Sequence, residues 1–216
     1  MVRALVDGRK TQTRRLLSLR GYRGLSQFGV SDTQGYDWHF RRSDGCWCDI
    51  SADRLAKLLP HWPGDRLYAR EAWSHTGNAV WTIEDARRSG FCNGHPIYRA
   101  DHEGFTPERW WPSIHMPREF SRITQLVREV RVQRLQDISE QDAIAEGLEA
   151  LTVFNDGPNK WSVQIGGGSL SAPTARETFA LLWNSLHTKL GERWDDNPWI
   201  YALTFEVVRE NIDRLG

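Results

Sequence analysis

Strand-like segments in this sequence alternate with short helices that carry clear start and stop signals. Three runs alternate apolar and polar residues as strands do: 66–73, 123–135 and 199–208. Ser139 and Asp142 have the spacing of a helix-capping pair, and Gly147 is where that helix is expected to end. Strands mixed with such short helices favour a small mixed barrel over a doubly wound parallel sheet. The sequence therefore predicts an α+β fold, a small mixed β-barrel with short flanking helices and long loop insertions.

Three other helices are indicated by the same kind of signal. One precedes Gly8, one follows Ser51 over 52–59, and one starts at Thr174. The last helix has an apolar stripe that predicts its buried face: Phe179, Leu182, Trp183 and Leu186.

Length and composition indicate one intracellular domain. The 216 residues suffice for a single domain with a substantial core, and the stretches 21–45 and 151–173 resemble long loops rather than separate units. No run approaches the ~20 apolar residues of a membrane span. Three cysteines are too few, and odd in number, for a disulfide scaffold. The sequence therefore predicts a cytoplasmic protein with no membrane partner.

Charge is balanced in total but uneven along the chain. Lys plus Arg and Asp plus Glu both number 28, so net charge gives no sign of a nucleic-acid partner. Residues 1–23 hold seven basic residues and one acid, whereas 136–159 hold six acids and no Lys or Arg. A basic substrate-facing patch opposed by an acidic segment would produce this pattern, and ordinary solvated faces would produce it equally well.

Two sets of residues have both a structural and a functional interpretation. Most of the eleven tryptophans are expected in the core, but Trp73, Trp110 and Trp111 adjoin polar motif residues and are candidate stacking platforms for a base. One set has the donors of a tetrahedral zinc site: Cys46, Cys48, Cys92 and His95. The spacing of that set is loose for zinc, so no metal and no cofactor are expected.

The segment from Gly8 to Arg15, with the sequence GRKTQTRR, is the most informative in the chain. It places an amine, two hydroxyls and a pair of guanidinium groups directly after a helix stop, where a ligand can reach them. By composition alone, a basic surface turn is the commoner explanation.

This segment resembles the Gly-x-Lys-x-x-x-x-Arg signature of ASCH domains, which matches Gly8, Lys10 and Arg15. The small bacterial N4-acetylcytidine amidohydrolases of that group carry a closely similar GRKT-x-T-x-R form. Five further motifs extend the resemblance: 64–67, 70–73, 113–118, 135–140 and 197–201. Those at 70–73 and 113–118 resemble motifs of larger phage and prophage proteins. The resemblance covers nearly the whole chain and implies one PUA-like domain over residues 1–216, with insertions near 21–45, 76–109 and 151–173. Such relatives usually have a strand before the first helix, whose loss would leave the barrel one strand short.

The resemblance also implies a catalytic group. In those amidohydrolases it is a lysine, a threonine three residues later and a glutamate at a helix end, which fall on Lys10, Thr13 and Glu146. Amide hydrolysis needs a nucleophile, a base and a partner for the oxyanion. The expected roles are attack by Thr13 or its water, charge stabilisation by Lys10 and proton transfer by Glu146. Glu146 sits at the negative end of its helix, where a carboxylate is disfavoured and local rules are often broken for function.

Substrate-binding candidates come from the same motifs: Arg15, Glu71, Trp73, Ser113, His115 and Arg118. Arg118 offers paired donors to a phosphate or a base. His115 has the alternative of packing against tryptophans, and Glu71 that of pairing with a basic neighbour. The partner is expected to be a nucleoside or a nucleic acid, either RNA or modified DNA. The leading function is an amidohydrolase that removes an N-acyl group from an acetylcytidine-type base; the alternatives are a non-catalytic binding module and a ribonuclease.

Overall fold

The structure is a computed structural model that describes residues 1–22, 25, 27–75, 80–88, 96–101, 107, 109–151, 160–165 and 168–215. The strands in these ranges are β1 Gln12–Leu16, β2 Gln27–Val30, β3 Trp38–Arg41, β4 Trp47–Ile50, β5 Arg66–Tyr68, β6 Trp73–Ser74, β7 Ile97–Tyr98, β8 Thr124–Arg134, β9 Glu149–Leu151, β10 Lys160–Ile165, β11 Gly168–Ala172 and β12 Trp199–Val208. The helices are α1 Val2–Val6, α2 Ala52–Leu58, α3 Ile83–Arg88, α4 Glu140–Ala145 and α5 Ala175–Leu186. No described helix has the length and apolar character needed to cross a membrane.

The centre of the fold is a four-stranded antiparallel sheet in the order β1-β12-β8-β5. It curls into a half-barrel, and the register of β12 against β8 shifts between Thr204 and Phe205. A bulge of this kind bends a strand and increases its twist. The predicted mixture of strands and short helices is therefore confirmed at the level of an α+β fold.

This sheet separates two hydrophobic cores, because the side chains of a strand alternate between its faces. On β12, Ile200 and Ala202 pack in one core with the helices α4 and α5. Tyr201 and Leu203 pack in the other core with residues of α1, α2 and β3. A third, smaller core forms around Trp73, Met116 and Phe120.

Local signals predicted the helices well. Ser51, Ser139 and Thr174 each accept a hydrogen bond from the backbone of the first turn of α2, α4 and α5, as capping residues do. The predicted stripe of α5 is buried at Phe179, Leu182 and Trp183. Its fourth member, Leu186, is 68% exposed, so that part of the prediction is wrong. Leu186 is the last residue of α5 and is not among the residues packed in the core that holds the rest of the stripe.

Three predictions about strands and loops need correction. The run 66–73 is two short strands, β5 and β6, because the chain turns Glu71 inward between them to meet Arg122. The stretch 21–45 contributes β2 and β3, which continue into β4 as an antiparallel sheet whose Phe40 is fully buried. The stretch 151–173 contains β10 and β11, paired with each other and with β9.

The third expected insertion, 76–109, is described only in part. Helix α3 and strand β7 lie within it, and β7 pairs with β6. Residues 76–79, 89–95, 102–106 and 108 lie outside the described ranges.

Candidate functional site

Lys10 occupies the bend between α1 and β1. Gly8 adopts a left-handed conformation (φ +74°) that ends α1, and the Lys10 backbone N–H then donates to the Ala4 carbonyl oxygen. The side chain is 9% exposed. Its Nζ donates to the Gln12 carbonyl oxygen (2.8 Å), the Glu146 carbonyl oxygen (3.0 Å) and Glu146 Oε2 (2.7 Å). An ammonium group has three N–H donors, and all three of them are used here.

Glu146 reaches Lys10 from the C-terminal end of α4. Its side chain is 4% exposed, and both carboxylate oxygens are held, Oε2 by Lys10 and Oε1 by Arg14 Nη1 at 3.0 Å. The next residue, Gly147, has φ +97°, and a Cβ there would lie 2.9 Å from Ala4 Cβ and 3.0 Å from Lys10 Cβ. Glycine at this position therefore allows the end of α4 to pack closely against Lys10.

A second carboxylate extends this network. Asp142 on α4 lies 3.2 Å from Arg14 Nη2 and accepts hydrogen bonds from Gln12 Nε2 (2.8 Å) and Arg131 Nη2 (3.3 Å). Burial opposes the charged form of Asp142. The hydrogen bond from Gln12 and the charges of Arg14 and Arg131 outweigh that effect and hold the pKa of Asp142 below its ordinary value.

Thr13 is not part of this network. Gln12 and Arg14 point to the α4 side of β1, so Thr13 and Arg15 point to the opposite side. Thr13 pairs with Leu203 across the sheet, and its hydroxyl forms no hydrogen bond with Lys10 or Glu146. The structure thus brings together two of the three expected catalytic residues and places the third on the other face of the strand.

A basic cavity of about 590 Å³ opens beside Lys10. The polar and aromatic side chains that line it are Lys10, Arg15, His61, Arg66, Tyr68, Arg70, Arg118 and Gln125. No Asp or Glu is among its described lining residues. Lys10 is therefore the residue shared by the carboxylate network and the cavity, and two expected binding residues, Arg15 and Arg118, line the same space.

The cavity wall is built largely by β5 and the residues that follow it. The rings and guanidinium groups stack there, with Arg70 and Arg118 5.4 and 5.5 Å from the centre of the Tyr68 ring. Burial, together with the positive charge of Arg15, lowers the pKa of His61 below its ordinary value of 6.5, which favours the neutral form of its imidazole. The wall thus combines permanent cations with neutral hydrogen-bonding rings.

Two other expected binding residues are committed to internal contacts. Glu71 is 1% exposed, and both of its carboxylate oxygens accept from Arg122 at 2.9 Å. Trp73 is completely buried, with Trp111 stacked at 6.2 Å and Phe120 edge-on at 5.2 Å. Glu71 therefore has the internal partner that was its alternative, and no face of Trp73 is open to a base.

The other two tryptophan candidates differ from Trp73. Trp110 and Trp111 are both half-buried, and the Arg109 guanidinium lies 3.9 Å from the centre of the Trp111 ring. Neither lines the basic cavity in the part of the chain that the structure describes.

The motif 113–118 lies at the edge of the cavity. Ser113 and His115 form a single 3-10 turn, with Ser113 half-buried and His115 exposed, and neither is among the described lining residues. The motif contributes its backbone instead, because the Ile114 carbonyl oxygen accepts from Arg70 at 3.1 Å. Arg118 lines the cavity but is paired with Asp213 through Nε (3.0 Å) and Nη2 (2.7 Å).

The suggested zinc ligands are only partly described. Cys46 is exposed and Cys48 half-buried, and both are free thiols. Cys92 and His95 lie outside the described residues. Within the described ranges, no group of three or more His, Cys, Asp or Glu side chains is arranged to hold a metal ion.

The sequence interpretation missed three of the residues that shape this site. Arg14 is the buried cation that joins Glu146 to Asp142, whereas composition alone favours a basic surface turn at its position. Arg66 and Arg70 flank Tyr68 at alternate positions, a pattern that places all three on one side of an extended chain. That alternation was visible in the sequence and indicates a shared basic face.

No family model, curated protein or solved structure gives a significant match to this chain.

Proposed function

We propose that this chain is a PUA-like ASCH protein that acts on a nucleoside or a nucleic-acid base in the cavity bordered by Lys10. One observation carries the proposal. Lys10 and Glu146, 136 positions apart, form a buried 2.7 Å ion pair whose lysine lines the cavity, and both are required by the amidohydrolase pattern that the sequence resembles. A pair of this kind is costly to bury, so its presence beside a cavity is a reason to assign it a role beyond folding.

The proposed reaction is hydrolysis of an N-acyl group on a cytidine-type base. Water adds to the acyl carbon, the C–N bond breaks, and the exocyclic amine leaves with the proton that the water loses. Lys10 supplies positive charge for the tetrahedral oxyanion, and Glu146 accepts and returns the proton. To reach the substrate, Lys10 has to exchange one of its three internal hydrogen bonds, and Glu146 has to release one of its two paired oxygens. The Thr13 hydroxyl forms no hydrogen bond with Lys10 or Glu146, so neither of them is placed to take its proton, which favours water as the nucleophile.

The test is incubation of the protein with acylated and modified nucleosides, with products followed by mass. Loss of the acyl group is expected, and Lys10→Met and Glu146→Gln should each slow it by about 100-fold or more. Lys57→Met changes an exposed lysine on α2 and is the matched control. Full activity of a folded Lys10→Met protein would exclude this mechanism.

A non-catalytic binding module is the second candidate. It is favoured by the fully used donors of Lys10 and by the separation of Thr13 from it, which leave no assembled pair of nucleophile and base. This candidate predicts affinity for RNA or modified DNA that falls with salt, and no change in the mass of any substrate. Cleavage of an oligonucleotide in the same assay would instead identify a ribonuclease.

A further inference from the structure

We propose that the basic cavity binds a phosphate group, so that its ligand is a nucleoside bearing phosphate rather than a free nucleoside, with Arg15 and Arg70 as the main phosphate contacts. The assignment of the base rests on the proposed function above. The assignment of the phosphate rests on the cavity alone.

The cavity has an unbalanced charge. Its described lining includes no carboxylate. It includes five cationic side chains: Lys10, Arg15, Arg66, Arg70 and Arg118. Two of these charges are compensated from outside the cavity, Lys10 by Glu146 and Arg118 by Asp213. Cations gathered in a concave wall attract an anion, and a neutral nucleoside would leave the charges of Arg15 and Arg70 unmatched.

Arg15 and Arg70 are the two cavity cations to which we assign the phosphate contacts. Neither forms an ion pair with a carboxylate of the described residues. Arg15 stands opposite Tyr201 on the neighbouring strand, so its neighbour there is a phenol rather than an acid. Arg70 donates to the Tyr68 hydroxyl through Nε (3.2 Å) and Nη2 (2.7 Å), and to the Ile114 carbonyl oxygen through Nη1 (3.1 Å).

The contacts of Arg70 fix its guanidinium group without using all of its donors. Arginine has five N–H donors, and three are engaged, which leaves two. A held, planar guanidinium with spare donors is well suited to phosphate, which it binds through parallel hydrogen bonds. The cavity volume of about 590 Å³ lies within the range typical of small-molecule sites.

The test compares three probes by titration calorimetry at low and moderate salt: cytidine, cytidine 5′-monophosphate and an eight-residue oligocytidylate. We expect the monophosphate to bind at least tenfold more tightly than cytidine, and salt to weaken its binding but not that of cytidine. Arg15→Gln and Arg70→Gln should each reduce monophosphate affinity about tenfold or more and leave cytidine affinity unchanged. Tighter binding of the oligonucleotide with a steeper salt dependence identifies a strand as the source of the phosphate; equal binding identifies a mononucleotide.

The matched control is Arg128→Gln, which removes an exposed arginine of β8 that lies outside the described cavity lining. Equal affinity for cytidine and its monophosphate would overturn the phosphate assignment. So would an unchanged monophosphate affinity in the Arg70→Gln protein, or no binding of either phosphorylated probe. Phosphate-dependent binding without loss of an acyl group leaves this inference standing and refutes the amidohydrolase. Loss of the acyl group from free acylcytidine, together with equal affinity of the unmodified protein for cytidine and its monophosphate, has the opposite meaning.

Discussion

At the scale of single residues, Arg14 is the group on which the buried charges depend. Its side chain is fully buried and contacts the carboxylates of both Glu146 and Asp142. Removing one member of a buried ion pair leaves its partner charged, desolvated and unpaired, which costs about 3–5 kcal/mol. Arg14→Met should therefore lower the free energy of unfolding, measured by denaturant titration, by about that amount.

The comparison for Arg14 is Arg128, whose ion pair with Glu206 is exposed on both sides. Exposed pairs contribute about 0–1 kcal/mol, so Arg128→Met should have little effect on unfolding. A similar loss in the two variants would show that the buried network is no more important than a surface pair.

Asp142 makes the same network sensitive to acid. Its pKa is lowered in the folded protein, because the Gln12 hydrogen bond and two arginine charges outweigh the effect of burial. A carboxyl with a lowered folded pKa contributes stability above its unfolded pKa of about 3.9, and that stability is lost as pH falls through the folded value. Unfolding measured from pH 7 to below pH 4 should therefore lose stability more steeply in the unmodified protein than in Asp142→Asn. Asp195→Asn, at an exposed position, should keep the steep loss.

At the scale of elements, the joint between α1, β1 and the end of α4 depends on Gly147. Alanine there would combine a left-handed backbone (φ +97°) with contacts of 2.9 Å to Ala4 and 3.0 Å to Lys10. Gly191 is left-handed too (φ +84°), but nothing lies within 4 Å of its added Cβ. Gly191→Ala should cost about 1–2 kcal/mol from the backbone alone, and Gly147→Ala a further 1–3 kcal/mol from crowding. Thermal unfolding checks both, and equal losses would contradict close packing at Lys10.

Elements whose signals are local were predictable from the sequence, and those that depend on distant partners were not. The caps at Ser139 and Thr174 are set within one helical turn, so α4 and α5 were expected where they occur. Strands β2, β3, β10 and β11 are short and mix polar with apolar residues, and they form through pairing of β2 with β3 and of β10 with β11. Glu71 interrupts the run 66–73 because of Arg122, which is 51 positions away.

The candidate site divides in the same way. The meeting of Lys10 with Glu146 follows from a resemblance, since nothing in their spacing of 136 residues requires it. The separation of Thr13 from Arg14 was available from strand alternation, because neighbouring residues of a strand face opposite sides. Arg15 and Arg70 line one cavity because β1 and β5 belong to the same sheet, β1-β12-β8-β5, and the sequence does not give that strand order.

At the scale of the whole molecule, the sheet β2-β3-β4 shares a core with the half-barrel. Phe40 of β3 is completely buried and packs in the same cluster as Leu203 and Phe205 of β12. The ring of Tyr22 meets it edge-on at 4.9 Å. A segment that contributes to the main core in this way should unfold together with it rather than separately.

Phe40→Ala tests this cooperativity. Loss of a fully buried phenylalanine ring costs about 3–5 kcal/mol, and here the whole molecule should become less stable. Unfolding followed by tryptophan fluorescence and by circular dichroism should remain a single coincident transition at lower denaturant. Trp47→Ala, which removes a ring 53% exposed on β4, should shift that transition far less. If Phe40→Ala instead produced an early transition and left the main one in place, β2-β3-β4 would be a separate unit attached to the half-barrel.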